Sequence, residues 1–89
     1  MKHQEIQTLL EENKLEEALV LLDRILATDP ADSEALFMRG KVYWRQGNRP
    51  RATSDYAAAS AIDPESPAAQ ALEQARDIEA FFNPDLLNP

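Results

Sequence analysis

The sequence predicts an all-α fold, a stack of antiparallel helix hairpins built from five helices. Three observations carry that prediction. The chain matches itself at a displacement of 34 residues, its apolar residues recur with helical period, and no segment alternates with period two over a useful length. Asp29-Pro30 returns as Asp63-Pro64, Ala18 as Ala52 and Ala27 as Ala61. The same displacement carries Leu22 onto the bulky Tyr56. It carries Asp32 onto Ser66, both helix-capping types, and Ser33 onto Pro67, a favoured first helical residue. The matches fall at helix punctuation and at small-residue packing sites, where a folding unit needs them.

Each element follows from local chemistry. Ile6, Leu9 and Leu10 form a short apolar face that stops at Asn13. Leu15, Ala18, Leu19, Leu22, Ile25 and Leu26 keep the i, i+3, i+4, i+7 rule up to Asp29-Pro30. Proline disfavours helical geometry in the residue before it and so ends that helix. Asp32 caps a third helix through Leu36, Phe37, Gly40, Tyr43 and Trp44 to about Gln46, with Gly47 supplying the positive φ of a helix C-terminus. Asn48 caps a fourth, which tolerates Pro50 in its first turn and carries Ala52, Tyr56, Ala59 and Ile62. Ser66-Pro67 opens a fifth, with Ala71, Leu72, Ala75, Ile78 and Phe82 on one face. Asn83-Pro84 ends it and leaves an apolar tail.

Composition narrows the function. Eighty-nine residues with a net charge of −7 make one small acidic domain. The absence of cysteine excludes disulfides, thiolate nucleophiles and cysteine-held metals, and a single histidine, His3, excludes a multi-histidine metal site. No apolar run approaches the roughly 20 residues of a membrane span. The polar start, without a secretory signal's apolar stretch, leads to the expectation of a cytoplasmic protein. Bulk acidity argues against nucleic acid and anionic lipid. No phosphate-binding glycine loop is present, and Ser33 and Ser66 are explained as caps. Glu11-Glu12 and Glu16-Glu17 read as a solvated face, and His3 as a solvent-exposed residue. The expectation is no enzyme, no cofactor and no metal.

The middle of the chain resembles a tetratricopeptide repeat. The pattern W-x2-L-G-x2-Y…A-x3-F…P reads here as Leu36-x2-Arg39-Gly40-x2-Tyr43, then Ala52-x3-Tyr56, then Pro64. Leu36 stands in place of the tryptophan and Arg39 in place of the leucine. The resemblance implies a degenerate first repeat over 1–32, with Ala18, Leu22 and Pro30 in the corresponding places and a truncated first helix. It implies a second repeat over 33–66, a capping helix over 67–82 and an apolar tail over 83–89, in a right-handed superhelical stack. Gly40 and Ala52 allow two helices to approach closely, while Tyr43 and Tyr56 fill the spaces beside them. Neither hairpin covers its own apolar face, so the pairs must stack.

The same resemblance implies protein binding. Arg39, Lys41, Arg45, Arg49 and Arg51 are five of nine basic residues, with no acid between them. Before them stand three basic against nine acidic residues, and after them one against seven. Phe37, Lys41 and Trp44 form one stripe of the third helix, bordered by Arg45. In this family the first helices of successive pairs line a concave groove that takes peptides. The matching positions are Glu34, Phe37, Lys41, Trp44 and Arg45, with His3, Gln7, Leu10 and Glu11 beside them and Ala68, Ala71, Ala75 and Ile78 as the far wall. Leu36, Gly40 and Tyr43 already occupy the inward stripe, which places Trp44 on the surface and leaves Phe37 divided between surface and core. Arg39, Arg49 and Arg51 have Glu12, Glu16 and Asp55 as alternative partners within the chain. The scarcity of lysine beside sixteen acids is also the balance of high-salt proteins, in which charge serves solubility.

The family's chaperone-tail clamp is excluded, since His3, Gln7, Met38, Ala68 and Leu72 stand where Lys, Asn or Arg is required. The expected function is a non-enzymatic adaptor or scaffold binding a protein or peptide segment through Phe37, Lys41, Trp44 and Arg45. A self-assembling homodimer, paired through apolar edges and the tail residues Phe81, Phe82, Leu86 and Leu87, is the alternative.

Overall fold

The computed structural model describes the backbone of residues 2–82 and the side chains of residues 3–77. Five helices and no strand lie within that span: α1 Lys2–Glu11, α2 Leu15–Thr28, α3 Ser33–Arg45, α4 Arg49–Ile62 and α5 Pro67–Phe82. Each packs on its neighbour in sequence, and α1 also reaches α3. The expected tail contacts of Leu86 and Leu87 lie outside the described residues, as do the side chains of Ile78, Phe81 and Phe82.

The turns repeat as the sequence does. Asn13 at φ 59 and Gly47 at φ 80, 34 residues apart, both take the left-handed conformation. Each ends its helix with the same pair of bonds. Asn13 donates to the Leu10 carbonyl and Lys14 to that of Leu9, while Gly47 donates to Trp44 and Asn48 to Tyr43. Further on, Asp29 and Asp63 share φ −135, and each carboxylate accepts the amide two residues ahead, of Ala31 and of Glu65, at 3.2 Å. Two caps follow the sequence reading: Asp32 accepts the Ala35 amide at 3.0 Å and Asn48 that of Arg51 at 3.4 Å. Ser66, expected to cap α5, does not, since its buried hydroxyl has no hydrogen-bond partner among the described residues.

Two connected clusters form the core. Ile6, Leu10, Ala18, Leu22, Leu26, Ala35, Leu36, Met38, Val42, Ala59 and Ala68 make the larger; Ala52, Tyr56 and Ala75 make the smaller. The half-buried Phe37 ring touches both. Gly40 lies so close to α4 that a Cβ built there would stand 2.6 Å from the Tyr56 ring.

Several sequence expectations need correction. Helix α3 buries Met38 and Val42 as well as Leu36 and Gly40. It is wedged between α2 on one side and α4 on the other, so it needs two inward stripes, whereas a single-face reading finds one. Leu10, expected at the groove, is 4% exposed and belongs to the core, as do the intended far-wall residues Ala68 and Ala75. Ile62, expected on the inward face of α4, is 45% exposed, because it lies in the helix's last turn. His3 is not a free surface residue. Its Nε2 lies 3.0 Å from the Asp32 carboxylate and its Nδ1 3.1 Å from that of Glu34.

Candidate functional site

Helices α1, α3 and α5 present one face of the molecule, with α3 in the middle. Asp32 starts α3 and the Gly47 turn ends it. Burial of Ala35, Leu36, Met38 and Val42 and the fit of Gly40 against Tyr56 set its rotation and leave Phe37, Lys41 and Trp44 on this face. Three clefts open there. One of about 450 Å³ is lined by His3, Gln4 and Gln7 of α1 and Glu34 of α3. One of about 190 Å³ is lined by Trp44, Tyr56, Ala71, Gln74 and Ala75, between α3 and α5. The third, of about 490 Å³, joins Glu34 and Phe37 to the α4–α5 turn at Asp63, Glu65 and Ser66.

The four residues expected to bind a partner are brought near this face in different states. Phe37 and Trp44 are half-buried, each with one side in the smaller core cluster. The Lys41 ammonium stands 5.1 Å from the centre of the Phe37 ring, and the Arg49 guanidinium 5.1 Å from that of Trp44. A cation over an aromatic face is held without loss of its charge. Arg45 reaches α1 instead and donates to the Leu10 carbonyl at 2.8 Å. That bond is a second one to a carbonyl that already accepts from the Asn13 amide, in the last turn of α1, where a cation also suits the helix dipole. Among the described residues, none of Lys41, Arg45 and Arg49 has a carboxylate in ion-pair contact.

The rest of the basic island faces the other way. Arg39 gives Nε and Nη2 to the two oxygens of Asp55 at 2.8 and 2.9 Å, and Nη1 to Asp23 at 3.0 Å. The bonds to Asp55 raise the Arg39 pKa well above its usual range, against the opposing effect of burial and with further help from Asp23. The guanidinium carbons of Arg39 and Arg51 both lie over the Tyr43 ring, at 5.9 and 5.8 Å. Of the intramolecular partners expected for these arginines, Asp55 does pair with Arg39. Arg49 and Arg51 rest on aromatic rings. Burial pushes the Tyr56 phenol up from its ordinary value.

Sequence reasoning missed Asp63, Glu65, Ser66 and Arg49 as neighbours of this face. The turn residues were accounted for by punctuation and Arg49 by possible ion pairing. The 34-residue displacement sets Asp63 and Ser66 where Asp29 and Asp32 stand, which marks them as turn residues but not as neighbours of this face.

A family model for the tetratricopeptide repeat matches residues 9–76. The chain belongs to the tetratricopeptide-repeat family. The solution NMR structure of a Bacteroides fragilis protein is similar over 96% of this chain and 87% of that one, with 34% identity and a TM-score of 0.84. No curated protein matches the chain. Within the tetratricopeptide-repeat frame, Arg39 holds the place of the pattern's leucine, and its bonds to Asp55 and Asp23 show how a charge is accommodated there. Tetratricopeptide repeats generally mediate protein–protein interaction. No described helix is long and apolar enough to cross a membrane. Among the described residues, no group of three His, Asp or Glu side chains is placed to hold a metal ion.

Proposed function

We propose that this chain is a non-enzymatic interaction module that holds a peptide or protein segment against α1, α3 and α5. Phe37, Lys41, Trp44 and Arg45 are its contact residues, and Arg49 joins them. The observation that carries this reading is the pair of cation-capped rings, Lys41 on Phe37 and Arg49 on Trp44, neither cation having a carboxylate in ion-pair contact among the described residues. Half-buried aromatic rings offer rigid contact area, and unpaired cations beside them are available to an incoming carboxylate. Homodimerisation is the second reading. It draws on Val20 and Ile62, 51% and 45% exposed, although single exposed apolar residues are ordinary on monomers.

A displayed peptide library selected on the immobilised chain tests the proposal. Trp44 is the only tryptophan, so its emission reports directly on the face. The expected result is a set of binders that shift Trp44 emission and lose affinity when Lys41 is replaced by Glu. Binders indifferent to that replacement and silent at Trp44 would refute the site. Sedimentation over a dilution series tests the dimer, which a concentration-independent monomer excludes.

A further inference from the structure

We infer that this face is charge-polarised, and that it selects segments carrying a basic group and an acidic group at opposite ends of a short apolar stretch. The inference rests on the peptide-binding reading above and names the chemistry of the ligand.

The two ends of α3 differ in sign. At its N-terminal end, Glu34, Asp63 and Glu65 rim the largest of the three clefts, with Phe37 as a wall. The Glu65 carboxylate has no ion-pair partner among the described residues. The Ser66 hydroxyl, which also lines this cleft, is buried with no hydrogen-bond partner. At the C-terminal end stand Arg45 and Arg49, with no carboxylate in ion-pair contact among the described residues; the Lys41 ammonium lies a turn earlier, over the Phe37 ring. Phe37 and Trp44 supply the apolar ground between.

Helix-dipole complementarity accounts for only part of this arrangement. Glu34 and Arg45 do suit the two ends of α3. Arg49, however, lies in the first turn of α4, which contains no acid, and a cation is unfavourable at a helix N-terminus. Glu65 stands just ahead of α5, which begins at Pro67, and there suits that helix's N-terminus. Arg49, which serves neither a dipole nor an ion pair among the described residues, is left to meet charge from outside the chain. Glu34 to Arg45 spans about 16 Å at 1.5 Å per residue, the length of about five residues of extended peptide.

Four capped pentapeptides test this, each with the same three apolar central residues and with ends Lys/Glu, Glu/Lys, Lys/Lys or Glu/Glu. Capping removes the terminal charges. Affinity is read from Trp44 emission. The better mixed-charge peptide is expected to bind about tenfold more tightly than either like-charged one, as two exposed ion pairs allow. Arg49→Glu should move the preference to Lys/Lys and Glu65→Lys should move it to Glu/Glu, with helical content checked by circular dichroism. Equal affinities within about twofold, or a preference that neither reversal moves, would overturn the polarity and leave the binding site standing. If pentapeptides bind too weakly to measure, the library binders decide: mixed-charge ends support the inference, and like-charged or uncharged ends overturn it. A library with no binder that reports at Trp44 removes the site and the polarity together.

Discussion

The Arg39 guanidinium grips both carboxylate oxygens of Asp55, at 2.8 and 2.9 Å, and thereby ties α3 to α4. Asp55 is 6% exposed, and a buried carboxylate without its partner is costly. Arg39→Leu restores the residue type of the family pattern yet is expected to destabilise the chain by about 2–3 kcal/mol, because it strands Asp55. Arg39→Leu combined with Asp55→Ala should recover most of that loss. Urea denaturation of the two variants measures both effects. A single variant as stable as the parent would show that the pair contributes nothing.

Gly40 makes a second prediction. A methyl group there meets the Tyr56 ring at 2.6 and 2.7 Å and the Ala52 carbonyl at 3.3 Å. The ring is held in the core and cannot step aside freely. Alanine's better helix propensity is worth about 1 kcal/mol, whereas overpacking costs about 1–3 kcal/mol. Gly40→Ala should therefore lower thermal stability on balance. The same change in a Tyr56→Leu background should cost less, and a double-mutant cycle on melting curves gives the coupling. Additive effects would mean that the ring is not the obstacle.

How much of this was legible beforehand varies with the kind of signal. Asp29-Pro30 and Asp63-Pro64 announced the period, and each pair takes up equivalent turns, since proline and the Asx bond act locally. Asn13 and Gly47 play one role with different residues, a correspondence that conformation shows and residue identity hides. Val42 and Met38 were missed because α3 is packed on two sides, while a periodicity count seeks one face. His3 was misjudged for a related reason: its partners Asp32 and Glu34 lie some 30 residues away, and nothing local predicts them. On the candidate face, the Phe37, Lys41 and Trp44 stripe could be read from spacing alone. Its acidic end could not, because Glu65 and Ser66 reach it through a turn.

Tyr56 gives the chain an alkaline limit. Burial raises its phenol above the ordinary tyrosine value, so the folded state holds the proton more tightly than the unfolded chain does. Stability from this source is complete below the unfolded value and is lost as pH rises through the folded one. Tyr56→Phe cannot ionise. It should melt much like the parent near neutral pH and keep more of its stability above about pH 10. Parallel alkaline melting profiles for the two proteins would remove Tyr56 as the cause.

The N-terminal helix supplies the last prediction. At ten residues, α1 is shorter than the roughly 12–15 residues at which isolated helices become even marginal, so its order depends on what holds its ends. Ile6 and Leu10 anchor one face in the core. At the N-terminal end, the two His3 ring nitrogens lie beside the carboxylates of Asp32 and Glu34. At the other end, Arg45 holds the Leu10 carbonyl. His3→Ala and Arg45→Ala should each speed amide exchange in α1 while leaving α4 untouched, and their combination should speed it further. The global cost of His3→Ala should stay below about 1 kcal/mol, since its contacts are partly solvated. Exchange that accelerates equally in α1 and α4 would mean that the helix does not open separately, and that these two contacts support the whole stack.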